Sequence, residues 1–409
     1  MNFEQNLAKY AKLIINTGIK VKEGDMVSIA GEVVNYEFLR YIAEEAYAAG
    51  AHDVKIHYND QKFNKLKYQN SPLEVLTNVP EYTIDEQLYL LDNKAKYVKV
   101  IGSDPNGLKG VDSDKLQKAI MARSKALKEV NKRMMNSETS WIVVGAPTVE
   151  WAKSVYPELS DEEAVEKLWD AIFKTTRVDL DDPEAAWDEH VNNLKKWSDF
   201  LNENEFEMLH FKSEKGTDLK VKLPKGYIFA GASEYAKTGD EFIANIPTEE
   251  VFSLPHREGV DGIVYSTKPL NYNGNLIDEF YLKFENGKVV EFDAKEGYET
   301  LKNLLETDEG ASRIGEVALV PFDSPISNSG LLFFETLYDE NAACHLALGK
   351  AYPTSIKGGD EMSDEELVKA GANDSLVHVD FMIGDATTEI VAYKGENKVQ
   401  IFKDGNFVI

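Results

Sequence analysis

Apolar residues recur at helical spacing from the start of the chain. Leu7, Tyr10, Ala11 and Ile14 fall on one face of a helix predicted over 4–17. A short apolar run over 26–30 predicts a strand. Phe38, Ile42 and Ala46 form the buried stripe of a helix over 36–49, which Gly50 stops. Val54, Ile56 and Tyr58 then alternate over 53–58, as a half-buried strand does. Strand, helix, strand in that order is a βαβ unit and predicts a parallel sheet. The strand signal returns over 97–102 and 141–145, with a long charged helix over 113–134 between them. An acidic helical region follows over 149–204, in which Asp179-Leu180-Asp181-Asp182-Pro183 marks a turn and a helix start.

From Phe206 onward the pattern changes to short strands over 209–212, 219–223, 277–284 and 289–293, which read as antiparallel pairs. Glu285-Asn286-Gly287-Lys288 supplies the Asn-Gly centre of a tight hairpin. The C-terminal stretch repeats the device, with strands over 389–393 and 399–403 and a turn at Asp404-Gly405. The expected fold is α/β: an N-terminal βαβ-type parallel-sheet domain over 1–190, then a mixed α+β domain rich in antiparallel strands over 191–409.

Composition narrows the function. The 409 residues suffice for more than one domain, and the formal net charge of −26 disfavours nucleic acid or an anionic membrane as partner. The same charge suits a site that attracts cations, whether metal ions or a peptide α-amine. Cys344 is the single cysteine, so no intrachain disulfide forms, which favours a reducing compartment. The first six residues carry neither a basic nor an apolar segment of a signal peptide, and no apolar run reaches the length of a membrane helix. A cytoplasmic protein is the expectation.

Possible metal ligands sit in apolar or glycine-bounded segments of the second half. In Val377-His378-Val379-Asp380-Phe381, strand geometry turns His378 and Asp380 to one face and the apolar residues to the other. That pair suits a metal clamp, or a simple hydrogen-bonded His–Asp couple. His345 lies in Cys344-His345-Leu346-Ala347-Leu348-Gly349, where a packed core histidine is the competing reading. Were that stretch helical, Tyr352 would share its face, but Gly349 and Pro353 argue against a continuous helix. Glu316 opens the apolar run of Gly315-Glu316-Val317-Ala318. Glu249 and Glu250 are adjacent, so an extended backbone points them in opposite directions. Glu340 is a further acid close in sequence to His345. The chain has no His-Glu-x-x-His zinc motif, no Cys-x-x-Cys pair and no glycine-rich phosphate loop.

Four segments, Asn245-Ile246-Pro247-Thr248-Glu249-Glu250-Val251-Phe252, residues 315–321, residues 337–349 and residues 378–384, resemble the bacterial aminopeptidase T and aminopeptidase S metallopeptidases in order and along the whole chain. The resemblance implies a dinuclear metal site ligated by Glu250, Glu316, His345, Tyr352, His378 and Asp380; a two-metal site needs a bridging carboxylate, and Glu316 is the one expected. It also implies a homodimer enclosing a cavity. The activity expected is release of N-terminal residues from short peptides. Two divalent ions (Zn²⁺, Co²⁺ or Mn²⁺) would activate water, with catalytic roles for Glu316 and Tyr352 and a general base or amine-binding acid in Glu249 or Glu340. A dinuclear hydrolase of another bond and a non-catalytic binding protein of the same fold are the alternatives.

Overall fold

A computed structural model describes residues 3–231, 233–272 and 275–409. The chain divides into two compact units, residues 1–189 with 233–247 and residues 190–232 with 248–409. The sequence pattern places 233–247 with the second half, whereas the fold groups it with the first.

The first unit is built on the parallel strands β1 (Met26–Glu32), β2 (Asp53–Asn59), β3 (Lys96–Ile101) and β4 (Trp141–Gly145), in spatial order β2-β1-β3-β4. The two-residue strand Asn245–Ile246 adds to β4, again in parallel. Helix Tyr36–Ala48 connects β1 to β2, as the Phe38/Ile42/Ala46 stripe requires, and all three residues are buried. Near the N-terminus the helix gives way at Leu13 to a π-helical turn over Leu13–Gly18. Tyr10 stacks on Phe38 with ring centroids 5.2 Å apart, and Trp169 stacks on Phe173 at the same separation. The helix predicted over 113–134 is two helices, Ser113–Ala126 and Lys128–Met135, broken at Leu127. The acidic region over 149–204 holds the helices Val149–Val155, Asp161–Thr175 and Pro183–Asn204. Ser160 caps the middle one in a reciprocal box with Glu163.

The second unit carries an antiparallel sheet in which Met208–Lys212, Asp218–Lys222, Val260–Tyr265 and Asn275–Glu285 pair on one side and Glu389–Lys394 and Asn397–Lys403 on the other. Asn286 and Gly287 both take positive φ, 51° and 79°, as a hairpin turn of this kind needs. Asp404 and Gly405 do the same at the C-terminal hairpin, with φ of 50° and 74°.

A second antiparallel sheet in this unit positions the candidate residues. Its strands are β5 (Val251–Ser253), β6 (Ile314–Leu319), β7 (His345–Gly349) and β8 (His378–Met382), in that spatial order, with Ala230–Gly231 beyond β5. Val317, Leu319, Leu346, Leu348 and Phe381 point from one face into the core of the unit. The opposite face carries the polar residues described next. Among the described residues no helix is long and apolar enough to cross a membrane.

Candidate metal centre

Cross-strand register brings the candidates together. Glu316 on β6 lies opposite Ala347 on β7, and Ala347 lies opposite Asp380 on β8. Opposed residues of an antiparallel pair share a face. Glu316 and Asp380 therefore flank the methyl group of Ala347, which is too small to keep them apart. His345 stands two residues before Ala347 and His378 two before Asp380, so alternation puts both imidazoles on that face too. His345 belongs to a strand and not to a helix, and the chain leaves that strand at Gly349, before Tyr352.

Glu316 faces this side because of an irregularity. The β6–β7 register shifts between Ile314 and Glu316, so that Ile314 pairs with Leu348 and Glu316 with Ala347. Simple alternation would send Ile314 and Glu316 to the same face. The extra residue, Gly315, lets Ile314 enter the core while Glu316 turns to the site. A Cβ on Gly315 would lie 2.3 Å from the carbonyl oxygen of Gly349 and 2.4 Å from that of Lys350. Gly315→Ala is therefore expected to spread β6 from β7 and misplace Glu316. The check is metal content and melting temperature together, both of which should fall relative to the wild type.

The donors form two groups that share Glu316: Glu250, Glu316 and His345, and Glu316, His378 and Asp380. Glu316 uses a different oxygen toward each. Its Oε1 is 3.5 Å from His345 Nε2, and its Oε2 is 3.7 Å from His378 Nε2. Glu250 Oε2 lies 3.2 Å from His345 Nε2, and Asp380 Oδ1 lies 3.5 Å from His378 Nε2. Each imidazole is oriented from behind. His345 Nδ1 is 3.2 Å from the carbonyl oxygen of Ala343, and His378 Nδ1 is 2.7 Å from that of Lys350. A carbonyl only accepts, so both Nδ1 atoms carry hydrogen, and Nε2 is the nitrogen each ring turns to the site and would offer to a cation once deprotonated.

The site concentrates acid in a buried place. Glu250, Glu316 and His345 are buried, and His378 and Asp380 half-buried. Burial raises the Glu316 carboxyl to about 7, with His345 opposing and the neighbouring carboxylates of Asp380 and Glu250 adding to the rise. Burial pushes His345 down, but Glu250, Glu316 and Asp380 outweigh it and hold the ring well above the ordinary histidine value. His378 is likewise pulled up, to about 9, burial being outweighed chiefly by Asp380. Burial opposes ionisation of Asp380, yet His378 and His345 keep it below the usual carboxylate range.

A divalent cation fits these donors. Glu250 Oε2 and Asp380 Oδ1 are buried acceptors that make no well-formed hydrogen bond among the described residues, each having only an imidazole Nε2, at 3.2 Å and 3.5 Å, beside it. Buried unpartnered carboxylate oxygens are costly, and a cation removes the cost. The set is oxygen and imidazole with no thiolate, since Cys344 points away to Val320, and its buried thiol is pushed up to about 12.

The Tyr352 ring lies 4.9 Å from that of His378; the residue is exposed at the surface, while desolvation of its hydroxyl and then the charges of Glu316, Asp380, Glu340 and Glu250 push the phenol up. Glu340 is held well above the ordinary carboxyl value by burial and then by the charges of Glu250 and Asp380, which sets it beside the same cluster. Glu249 and Glu250 diverge: Glu249 Oε2 is 3.5 Å from His190 Nε2, and neither donor group includes it. The Glu249 N–H donates to Asn341 Oδ1 at 2.8 Å, tying the Glu250 segment to the turn that carries Glu340. His190 and Asn341 drew no notice in the sequence, because each lies far from the segment it steadies. Nor did Ala347 and the carbonyls of Ala343 and Lys350, whose parts are set by register alone.

Comparison with known proteins identifies the family. Residues 3–407 match the family model of the thermophilic metalloproteases, M29. Aminopeptidase AmpS of Bacillus subtilis is 46% identical over 407 residues, 99% of either chain. Aminopeptidase 2 of Geobacillus stearothermophilus is 43% identical, over 99% of this chain and 98% of its own. The solved structure of wild-type AmpT from Thermus thermophilus superposes with a TM-score of 0.92 at 38% identity, covering 100% of both chains. With a full-length family match and aminopeptidase relatives at this identity, the chain is a metal-dependent aminopeptidase and belongs to the M29 family of thermophilic metalloproteases.

Proposed function

We propose that the second unit is the catalytic domain and that it releases N-terminal residues from short peptides at a pair of divalent ions shared through Glu316. The observation that carries this reading is the division of donors into two groups with one carboxylate in common. Glu250 and His345 would hold one ion, His378 and Asp380 the other, with Tyr352 completing the second. A two-ion site supplies a water acidic enough to attack an amide near neutral pH and polarises the scissile carbonyl. The oxygen and imidazole donors suit Zn²⁺, Co²⁺ and Mn²⁺.

The protein's own groups do the rest. Glu340, beside both donor groups, accepts a proton from the attacking water and returns it to the leaving amine. The excess of carboxylates over imidazoles attracts a free α-amine, which favours the chain terminus over internal bonds. The carbonyls behind His345 and His378 fix which nitrogen each ring presents. A homodimer, which the resemblance implies, and a cytosolic setting, where the buried Cys344 thiol stays reduced, belong to the same proposal.

The test is reversible chelation. Prolonged dialysis against a chelator should abolish hydrolysis of an aminoacyl chromogenic amide, and added Zn²⁺, Co²⁺ or Mn²⁺ should restore it. The same enzyme should leave N-acetylated peptides intact. Full turnover in the thoroughly stripped protein would rule the reading out.

A further inference from the structure

The second unit contains a cavity of 80 Å³ whose wall includes Asp380. Its other walls are mostly apolar: Leu270 and Leu276 from neighbouring strands, Met382 from β8, and Leu332 and Phe334 from the loop before helix Thr336–Asp339. The Thr267 N–H donates to the Met382 carbonyl at 2.8 Å, which fixes the Leu270 strand against the strand that carries Asp380.

The loop is built with unusual care. Phe334 has φ of 56°, a left-handed conformation that a bulky residue adopts rarely. It is held there from both sides by one carboxylate. Asp339 Oδ1 accepts the Phe333 N–H at 2.7 Å, and Asp339 Oδ2 accepts the Glu335 N–H at 3.2 Å. The Phe333 ring, fully buried, stacks on Tyr338 at 4.8 Å and anchors the same turn. Strain kept in place by so many contacts marks a residue whose position is in use. What the strain achieves is to put the Phe334 ring on the cavity wall.

An exopeptidase must hold the residue it releases with the α-carbon next to the reacting carbonyl, so that residue's side chain lies within a few bonds of the ligands. A cavity that shares a wall residue with the donor cluster meets this condition. Resting on the aminopeptidase reading above, we infer that this cavity receives the side chain of the substrate's N-terminal residue, that it selects compact apolar side chains such as leucine and methionine, and that Phe334 is its specificity-determining wall. The volume and lining suit an isobutyl or thioether group and leave no room for an indole. Asp339, Glu335 and Asp380 around it repel an acidic side chain.

Burying one methylene is worth roughly fourfold, so leucyl should exceed alanyl substrates by about 50-fold in kcat/KM. The test measures kcat/KM of the metal-loaded full-length enzyme on aminoacyl amides with N-terminal Ala, Leu, Met, Trp or Glu. Calorimetric binding of free L-leucine and L-alanine gives a second readout. Phe334→Gly removes the ring while easing the backbone, and Leu276→Trp fills the space. Both should lower the leucyl-to-alanyl ratio at least tenfold and weaken leucine binding relative to alanine. Ratios unaltered in both variants, or a wild type that prefers glutamyl or tryptophanyl substrates, would overturn the assignment while leaving the aminopeptidase reading intact. A loaded wild type that cleaves none of the amides would overturn both.

Discussion

Glu316→Gln is expected to lose activity by at least about 10³-fold and to bind neither ion normally. The reason is its position between the groups: one oxygen faces His345 and the other faces His378. An amide keeps the shape and one weak donor oxygen, but it removes the negative charge that both ions would share. Replacing Glu250 or Asp380 should instead impair one group and spare the other, since each belongs to one only. Metal content measured beside kcat distinguishes these outcomes. A Glu316→Gln protein that retains two tightly bound ions and near-normal turnover would show that the carboxylate is not the shared ligand.

The second large effect falls on turnover alone. Glu340→Gln should reduce kcat by about 10²–10⁴-fold, the range found for loss of a positioned general base. Its metal content should stay at the wild-type value, because Glu340 is in neither donor group. The half-buried Glu340 feels the charges of Glu250 and Asp380, whereas Glu249 is turned to His190. That contrast makes Glu340 the expected proton acceptor. Unchanged kcat in Glu340→Gln, with a large loss in Glu249→Gln at full metal content, would transfer the role to Glu249.

What the sequence made legible is what depends on short-range pattern. The alternation in Val377-His378-Val379-Asp380-Phe381 gives the face of β8 without any partner, because strand geometry has period two whatever the sheet. Asn286-Gly287 and Asp404-Gly405 announce their hairpins because few other residues accept their positive φ. Gathering the six candidate ligands into one set rested on resemblance to known aminopeptidases, since they are scattered over 131 residues of chain from Glu250 to Asp380.

Features set by long-range pairing were not legible. Gly315 looks like any glycine before a strand, and its bulge exists only against the carbonyls of Gly349 and Lys350. His345 sits in an apolar run that a buried helix and a buried strand both allow, and pairing with β6 and β8 decides for the strand. Asn245–Ile246 is too short to show periodicity, so its addition to the parallel sheet is visible only in the fold. The break at Leu127 interrupts a segment whose charged pattern runs on through it. The position of Phe334 depends on hydrogen bonds that the backbone N–H groups of Phe333 and Glu335 donate to Asp339 across the loop, and no local motif signals it.

Each chain is expected to hold a pair of divalent ions through Glu316. Anomalous diffraction from crystals of the metal-loaded protein measures this directly. Two peaks per chain are expected, one within ~2.0–2.3 Å of Glu250, Glu316 and His345 donors and one within the same range of Glu316, His378 and Asp380. A single peak, or a pair that Glu316 does not join, would contradict it.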